Sequence, residues 1–261
     1  MKPWLAVVLC VCSVGALKGA PLHDHVQIAR QNMPRVVTVN ILKKDGSTHT
    51  ATGFVLTQNG VIATNRHVLQ DAVYLNLTFN NGTVSGEAVP LAQSDLVDLA
   101  LLQIQARQLP YVTLGDSTSV QPGQTITVIG NPRRLQNTVT SGIISQIRLQ
   151  KDDTLWFQIS APLSPSSSGS PIFNTQGEVI AVAFASLNAP ENQNLNFAIP
   201  VNYLKTMLQQ QGITWAHPSP SNPSTNPFVR HVKKSWQILK RLVYRWFNGV
   251  PTQEKYENQN N

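Results

Sequence analysis

Cysteine is almost missing from this chain of 261 residues: only Cys10 and Cys12 occur, both inside the opening apolar run Leu5 to Leu17. A disulfide framework is excluded for the body of the protein, whose stability must come from core packing. No zinc-type ligand spacing and no phosphate-cradling glycine loop is present, so no cofactor or metal is expected. Charged side chains are sparse at 13%. Between residues 21 and 227 eleven basic and eleven acidic groups cancel, which leaves no field for a nucleic-acid partner. The formal charge of +7 sits at the ends, with two lysines before residue 21 and seven basic against two acidic groups in 228–261. A long hydrophobic run is also lacking. Leu5 to Leu17 is too short to span a bilayer comfortably and follows the charged start Met1-Lys2, the pattern of a signal peptide covering residues 1–16. Val14-Gly15-Ala16 supplies small residues for cleavage, whereas a cut after Ala20 would leave Lys18 and Pro21 at poor positions. Leu9 and Val11 occupy sites where a lipoprotein signal wants Gly or Ala. A periplasmic or secreted location is expected.

What the chain has in quantity is short runs of Val, Ile, Thr and Phe cut by turn pairs: Asp45-Gly46, Asn59-Gly60, Asn81-Gly82, Ser85-Gly86, Pro122-Gly123, Ser141-Gly142 and Gln176-Gly177. Turns at that density predict an all-β sandwich or barrel. Val201 to Gln210 reads as a helix ended by Gly212. Residues 213–227, rich in Pro, Ser and Asn, read as a linker that can bury no core. Beyond it, in 228–261, the stretch 228–248 sorts as an amphipathic helix: Val229, Val232, Trp236, Leu239, Val243 and Trp246 share one side, and Arg230, Lys233, Lys234, Lys240, Arg241 and Arg245 the other. Such a segment suits an anionic membrane surface, or docks on the rest of the chain or another subunit.

The stretch Ser164-Pro165-Ser166-Ser167-Ser168-Gly169-Ser170-Pro171 has almost no apolar volume and lies between two strand-like runs. It predicts a tight turn whose amides face a cleft. A serine hydroxyl there needs a base to take its proton and a third group to orient that base. His67 ends the apolar run from Gly60, and Asp98 directly precedes Leu99-Ala100-Leu101-Leu102, which favours it over Asp95. His23-Asp24-His25 offers too few ligands for a metal, and His49, His217 and His231 belong to no pattern. Asn76-Leu77-Thr78 and Asn81-Gly82-Thr83 fit glycosylation acceptors, relevant only in a eukaryotic secretory route.

Seven blocks carry a resemblance: Thr52-Gly53-Phe54-Val55-Leu56, Thr64-Asn65-Arg66-His67-Val68, Asp98-Leu99-Ala100-Leu101-Leu102, Leu114-Gly115-Asp116-Ser117, Ile129-Gly130-Asn131-Pro132, Thr138 to Ser145, and Asn196-Phe197-Ala198-Ile199-Pro200. In this order, from about Ala29 to about Gln210, they resemble the protease domain of the HtrA/Deg family of trypsin-like serine endopeptidases. The resemblance implies a domain over residues 26–212 built as a double six-stranded β-barrel, one barrel over 36–104 and the other over 112–200, closed by the C-terminal helix. It implies Ser168 as nucleophile, framed by Gly169 and Pro171, with His67 as base and Asp98 as orienting acid. The backbone N–H groups of Ser166 and Ser168 would form the oxyanion hole. Leu163 and the strand carrying Ala183, Phe184 and Ala185 would line the pocket for the side chain before the cut. No aspartate stands at that pocket's expected base, so aliphatic residues are favoured over Arg or Lys. Substrates would be unfolded or exposed polypeptides, as in protein quality control, and a homo-oligomer fits the family. The tail is too short for the PDZ domain that relatives carry.

One departure concerns the turn, which in the family reads Gly-Asn-Ser-Gly-Gly-Pro and here Ser166-Ser167-Ser168-Gly169-Ser170-Pro171. A Cβ at Ser166 restricts the freedom a glycine would have, which leaves open whether the turn rests in an active form. The competing expectations are a trypsin-fold binding module silenced by Ser166 and Ser170, and a membrane-associated structural protein whose tail matters most.

Overall fold

The computed structural model describes residues 24–130, 138–187 and 195–216. The signal segment, the linker beyond Ala216 and the basic stretch 228–248 lie outside the described residues, as do Cys10, Cys12, His23, His217 and His231. The β-branched runs fold as strands, because a branched Cβ packs well on a pleated surface and gains little in a helix. In the first half these are β1 (Val36–Lys43), β2 (Thr48–Val55), β3 (Val61–Thr64), β4 (Ala72–Thr78), β5 (Val84–Glu87), β6 (Val89–Gln93) and β7 (Ala100–Gln103). They form one antiparallel sheet in the order β5-β4-β1-β2-β3-β7-β6. The expected closed six-stranded barrel is here corrected to a seven-stranded half-barrel. One length of chain, bent at Ala88, serves both ends: β5 pairs with β4 and β6 with β7. Ala88 itself still donates its N–H to Leu75 O at 2.8 Å.

The second half holds β8 (Thr125–Gly130), β9 (Thr138–Leu149), β10 (Leu155–Ile159), β11 (Pro171–Phe173), β12 (Val179–Leu187) and β13 (Leu195–Pro200). These close into a six-stranded barrel, β10-β13-β12-β11-β8-β9.

Alternation along each strand decides where the two halves meet. In β2, Ala51 and Val55 point into the first sheet's own core with Val37, Val39, Ile41 and Leu77, whereas Phe54 points the other way. In β8, Ile126 and Val128 fill the second barrel while Ile129 points out of it. The outward set, including Phe54, Leu101, Ile129, Phe173 and Val182, forms a third buried cluster shared by both halves. Phe54 and Phe173 are fully buried there, and truncating either to alanine removes contacts usually worth about 3–5 kcal/mol. The halves are thereby one rigid frame, and loops from both converge at their seam.

Two helices brace this seam. Helix α1 (His25–Asn32) starts at Asp24, whose Oδ1 accepts from Gln27 N at 2.7 Å, and buries Ile28 and Ala29. Asp24 is thus a helix cap, and His25 Nδ1 meets Thr127 Oγ1 at 2.7 Å. Helix α2 (Val201–Gln210) buries Val201, Leu204, Met207 and Leu208 on one stripe against β12 and β13. It ends with Gly212 at φ +65°, with Gly212 N donating to Gln209 O and Ile213 N to Leu208 O, a Schellman closure. Ile213 and Trp215, which the sequence groups with the linker, pack against the shared core.

Candidate active site

The β3–β7 ladder sets the first pair of functional groups side by side. Thr64 lies opposite Ala100, so the chain three residues after Thr64 meets the chain two residues before Ala100. A short 3₁₀ turn, Arg66–Leu69, carries His67 out of β3. Fully buried Asn65 donates its Nδ2 to Asp98 O at 2.7 Å, and Arg66 Nη1 donates to Ser94 O at 2.8 Å, so both strand ends are tied together. Asp98 Oδ1 accepts the His67 backbone N–H at 2.8 Å, and Oδ2 meets His67 Nδ1 at 2.5 Å. Asp95 is exposed and stands apart from this contact. The Asp98 side chain is 23% exposed and that of His67 46%, so the ring reaches the surface while its anchor is mostly covered. Burial opposes ionisation of Asp98, but the hydrogen bonds from the His67 ring and backbone amide outweigh it and hold the carboxyl below the usual carboxylate range.

The serine-rich stretch forms a tight turn against β2. Ser167 N donates to Ser164 O at 2.9 Å, Pro165 takes the first corner, and Ser166 takes the second at φ +74°. That is the pattern of a type II turn, whose second corner normally belongs to glycine. The three adjacent hydroxyls differ in what they touch. Ser166 Oγ meets Thr50 Oγ1 at 3.2 Å, and Ser167 Oγ accepts from Ser164 N at 3.1 Å. Ser168 Oγ has no hydrogen-bond partner among the described residues, His67 included. In a site without substrate a nucleophile–base hydrogen bond is often long, and closes when the substrate arrives.

The amides of the turn divide in the same way. Those of Ser167, Gly169 and Ser170 donate to Ser164 O, Ala183 O and Ser167 O. The N–H groups of Ser166 and Ser168 have no acceptor among the described residues. Gly169 sits at φ +86°, and a Cβ there would lie 2.0 Å from Thr52 O and 2.7 Å from Thr64 Oγ1. Gly169→Ala is therefore expected to destabilise the fold by about 3–5 kcal/mol, combining left-handed strain with overpacking, as read from urea denaturation midpoints.

Ser170, at the family's second glycine, is fully buried and its Oγ finds no hydrogen-bond partner among the described residues. Gly130 makes the room for it: a Cβ on Gly130 would stand 2.5 Å from Ser170 Oγ. A buried unpaired hydroxyl costs stability, so Ser170→Ala should stabilise the fold, raising the free energy of unfolding by about 1 kcal/mol in the same urea titration.

Beside the turn, Leu163 is half-buried against the second barrel's core, and Ala183 is fully buried. Phe184 is the extra residue of a bulge between Ala183 and Ala185 in the β12–β13 ladder, and its ring meets Trp156 edge-on at 4.8 Å. Ala185 pairs with Phe197. A cavity of about 690 Å³ is lined by Leu56, Gln58, Tyr111, Ile213 and Trp215 and by none of the triad candidates. The residues that sequence reasoning did not single out are Asn65 and Thr52. Thr52 N donates to Ser168 O and Thr52 Oγ1 to Ser166 O, both at 2.9 Å. Their only sequence signal was membership of the family blocks.

This geometry agrees with the kinship of the chain. A family described as the trypsin-like peptidase domain matches residues 51–182, which include His67, Asp98 and Ser168. The chain is 34% identical over 165 residues to the "Probable periplasmic serine endoprotease DegP-like" of Chlamydia muridarum, covering 61% of this chain and 33% of that protein. It is 29% identical over 201 residues to Serine protease HTRA1B of Danio rerio, covering 74% of this chain and 40% of that one. A variant of the HtrA-type protease AlgW with a tripeptide superposes with a TM-score of 0.66 at 25% identity, covering 72% of this chain and 63% of that one. The chain thus spans two-fifths or less of the length of these curated relatives. With a half-barrel and a closed barrel joined across one apolar seam, this chain belongs to the trypsin-like peptidase family, among relatives of the HtrA and DegP type.

Proposed function

We propose that the chain is a serine endopeptidase that cleaves unfolded or exposed polypeptides through an acyl-enzyme. The observation that carries this reading is the division of labour in the turn: of three adjacent serines only Ser168 keeps a hydroxyl without a partner among the described residues, beside two amides in the same state. Ser168 Oγ attacks the scissile carbonyl carbon as His67 Nε2 takes its proton. The carbonyl π pair moves onto oxygen, where the N–H groups of Ser166 and Ser168 receive the charge. His67 then hands the proton to the amine, the C–N bond breaks, and the amine leaves. Water, deprotonated by His67, attacks the ester and returns Ser168. Asp98 keeps the proton of neutral His67 on Nδ1 and stabilises the imidazolium.

The substrate backbone would lie along β12. Beyond Ala183 the side of β12 away from β13 has no strand partner among the described residues, an edge to which an extended peptide can add. Of the expected pocket residues, half-buried Leu163 and Phe184 offer the preceding side chain an apolar wall, which supports small or medium aliphatic preference, whereas Ala183 is turned into the second barrel's core. The left-handed Ser166 weighs against the silenced binding module, since its amide is not tied up by a flipped turn. A periplasmic or secreted location is supported by the DegP-like relatives.

The test is hydrolysis of casein by the full chain, with mass-spectrometric mapping of a fluorophosphonate adduct. Peptide release and an adduct on Ser168 are expected. A folded protein that is inert toward casein, other unfolded proteins and the fluorophosphonate would remove the reading.

A further inference from the structure

Strand β2 turns one edge toward the serine-rich turn. In an antiparallel pair the N–H and C=O of one residue face the same edge, and successive residues alternate between edges. Thr52 faces away from β1, since its N–H donates to Ser168 O at 2.9 Å and its carbonyl accepts from Thr64 Oγ1 at 2.8 Å. Thr50, two positions earlier, faces the same way. Strand β3 covers this edge only at Phe54 and Val55, so the N–H and C=O of Thr50 have no partner among the described residues.

The side chain of Thr50 adds a second feature. Its Oγ1 meets Ser166 Oγ at 3.2 Å, and both residues are half-buried. No other hydrogen bond reaches either hydroxyl among the described residues. A hydroxyl has one donor and two acceptor sites, so their contact leaves the pair one donor and three acceptor sites unused.

The proposed mechanism fixes which part of a substrate this pair meets. Ser166 N–H is a proposed oxyanion donor, and the hydroxyl of the same residue is three bonds from that nitrogen. With a hydrogen bond of about 3 Å to the scissile oxygen, Ser166 Oγ lies within about 7 Å of it, the span of two extended residues. The acyl side of the peptide runs over β12, against Leu163 and Phe184 of the second barrel. The leaving amine takes its proton from His67, which, like Thr50, belongs to the first half of the fold. The hydroxyl pair therefore faces the residues after the cut.

We infer that Ser166 and Thr50 form a polar subsite selecting a hydrogen-bonding side chain, such as serine, threonine or asparagine, within the first two residues after the cut. This rests on the endopeptidase reading and names a substrate feature that the apolar wall does not address. Serine at position 166 builds the subsite, because a glycine would leave Thr50 Oγ1 without its companion hydroxyl. The unpaired N–H and C=O of Thr50 would hold the same stretch of substrate as a short added strand.

The experiment uses the full chain and internally quenched peptides that share one acyl-side sequence mapped in casein. Threonine and its isostere valine are exchanged at the first and at the second position after the cut. The parent is expected to favour threonine about five- to tenfold in kcat/KM at one of these positions, the ratio that one hydrogen bond commands. Thr50→Val joined to Ser166→Gly should bring that ratio to within about twofold, and Thr50→Val alone, at a half-buried site, should at least halve it. The leucine-to-valine ratio at the residue before the cut should stay the same in every enzyme. Each ratio is taken within one enzyme, so a general loss of turnover or of folded protein does not enter it. A parent ratio within twofold at both positions, a ratio unchanged by Thr50→Val or surviving in the double variant, or an equal change before the cut would each overturn the inference. A parent chain that is neither labelled at Ser168 nor active would overturn the proposed function and this inference with it. A labelled, active parent that is indifferent to the exchange would overturn the inference alone.

Discussion

Ser168→Ala is expected to reduce kcat on casein by roughly 10⁶-fold, close to 8 kcal/mol of transition-state stabilisation, while leaving the fold almost untouched. The two halves of that expectation come from the same observation. Ser168 Oγ makes no hydrogen bond among the described residues, so its removal leaves no buried group unpaired, and the urea midpoint should stay within about 0.5 kcal/mol of the parent. The turn's backbone ties run through Ser168 O and Gly169 N, which alanine retains. Ser167→Ala makes the informative comparison. Its hydroxyl accepts from Ser164 N inside the turn, so that variant should lose stability and only a modest part of its rate. His67→Ala added to Ser168→Ala should cost little more than either alone, because a base without its nucleophile has nothing to deprotonate. If Ser168→Ala kept more than about a tenth of parental turnover, another group would be the nucleophile.

The short β-branched runs made the strands legible and five of the seven turn pairs fall between elements, although Ser85-Gly86 and Ser141-Gly142 lie inside β5 and β9; Gly212 marked the end of α2 where the Schellman closure now stands. The His67–Asp98 neighbourhood was also readable, because each residue borders an apolar run and those runs pair in one ladder. The division of the first sheet was not. The nearest breakers, Gly86 and Pro90, lie inside β5 and β6 on either side of the bend at Ala88, and which end of the sheet each strand joins depends on the neighbours its edge finds. Position 166 was misleading in a more useful way. Serine there predicts a negative φ on local grounds, yet it stands at +74°, its hydroxyl and carbonyl bonded to threonines more than a hundred positions earlier in the chain. No local window contains those partners. The same holds for Ser170, whose extra oxygen is tolerated because Gly130, on the neighbouring strand β8, has no Cβ.

Asp98→Asn should lower kcat by about 10⁴-fold, and the geometry says why an amide of the same shape fails. Oδ1 of Asp98 accepts the His67 backbone N–H, a group that can only donate. The substituted amide must keep its oxygen there, which turns its NH₂ toward His67 Nδ1, now occupied by the carboxylate Oδ2. An NH₂ group donates, so Nδ1 has to accept and the ring proton moves to Nε2, the atom that should receive the proton of Ser168. The imidazole is held in place in the wrong tautomer. Stability carries a second signature. The Asp98 carboxyl titrates below its unfolded value in the folded chain, so its ionised form contributes stability above about pH 4, and that contribution is lost as pH falls through the folded value. The parent should therefore exceed Asp98→Asn in urea midpoint at neutral pH, with the gap closing in acid. A variant whose kcat stayed within tenfold of the parent, or whose stability deficit was constant down to pH 3, would mean that the carboxylate is not what orients the ring.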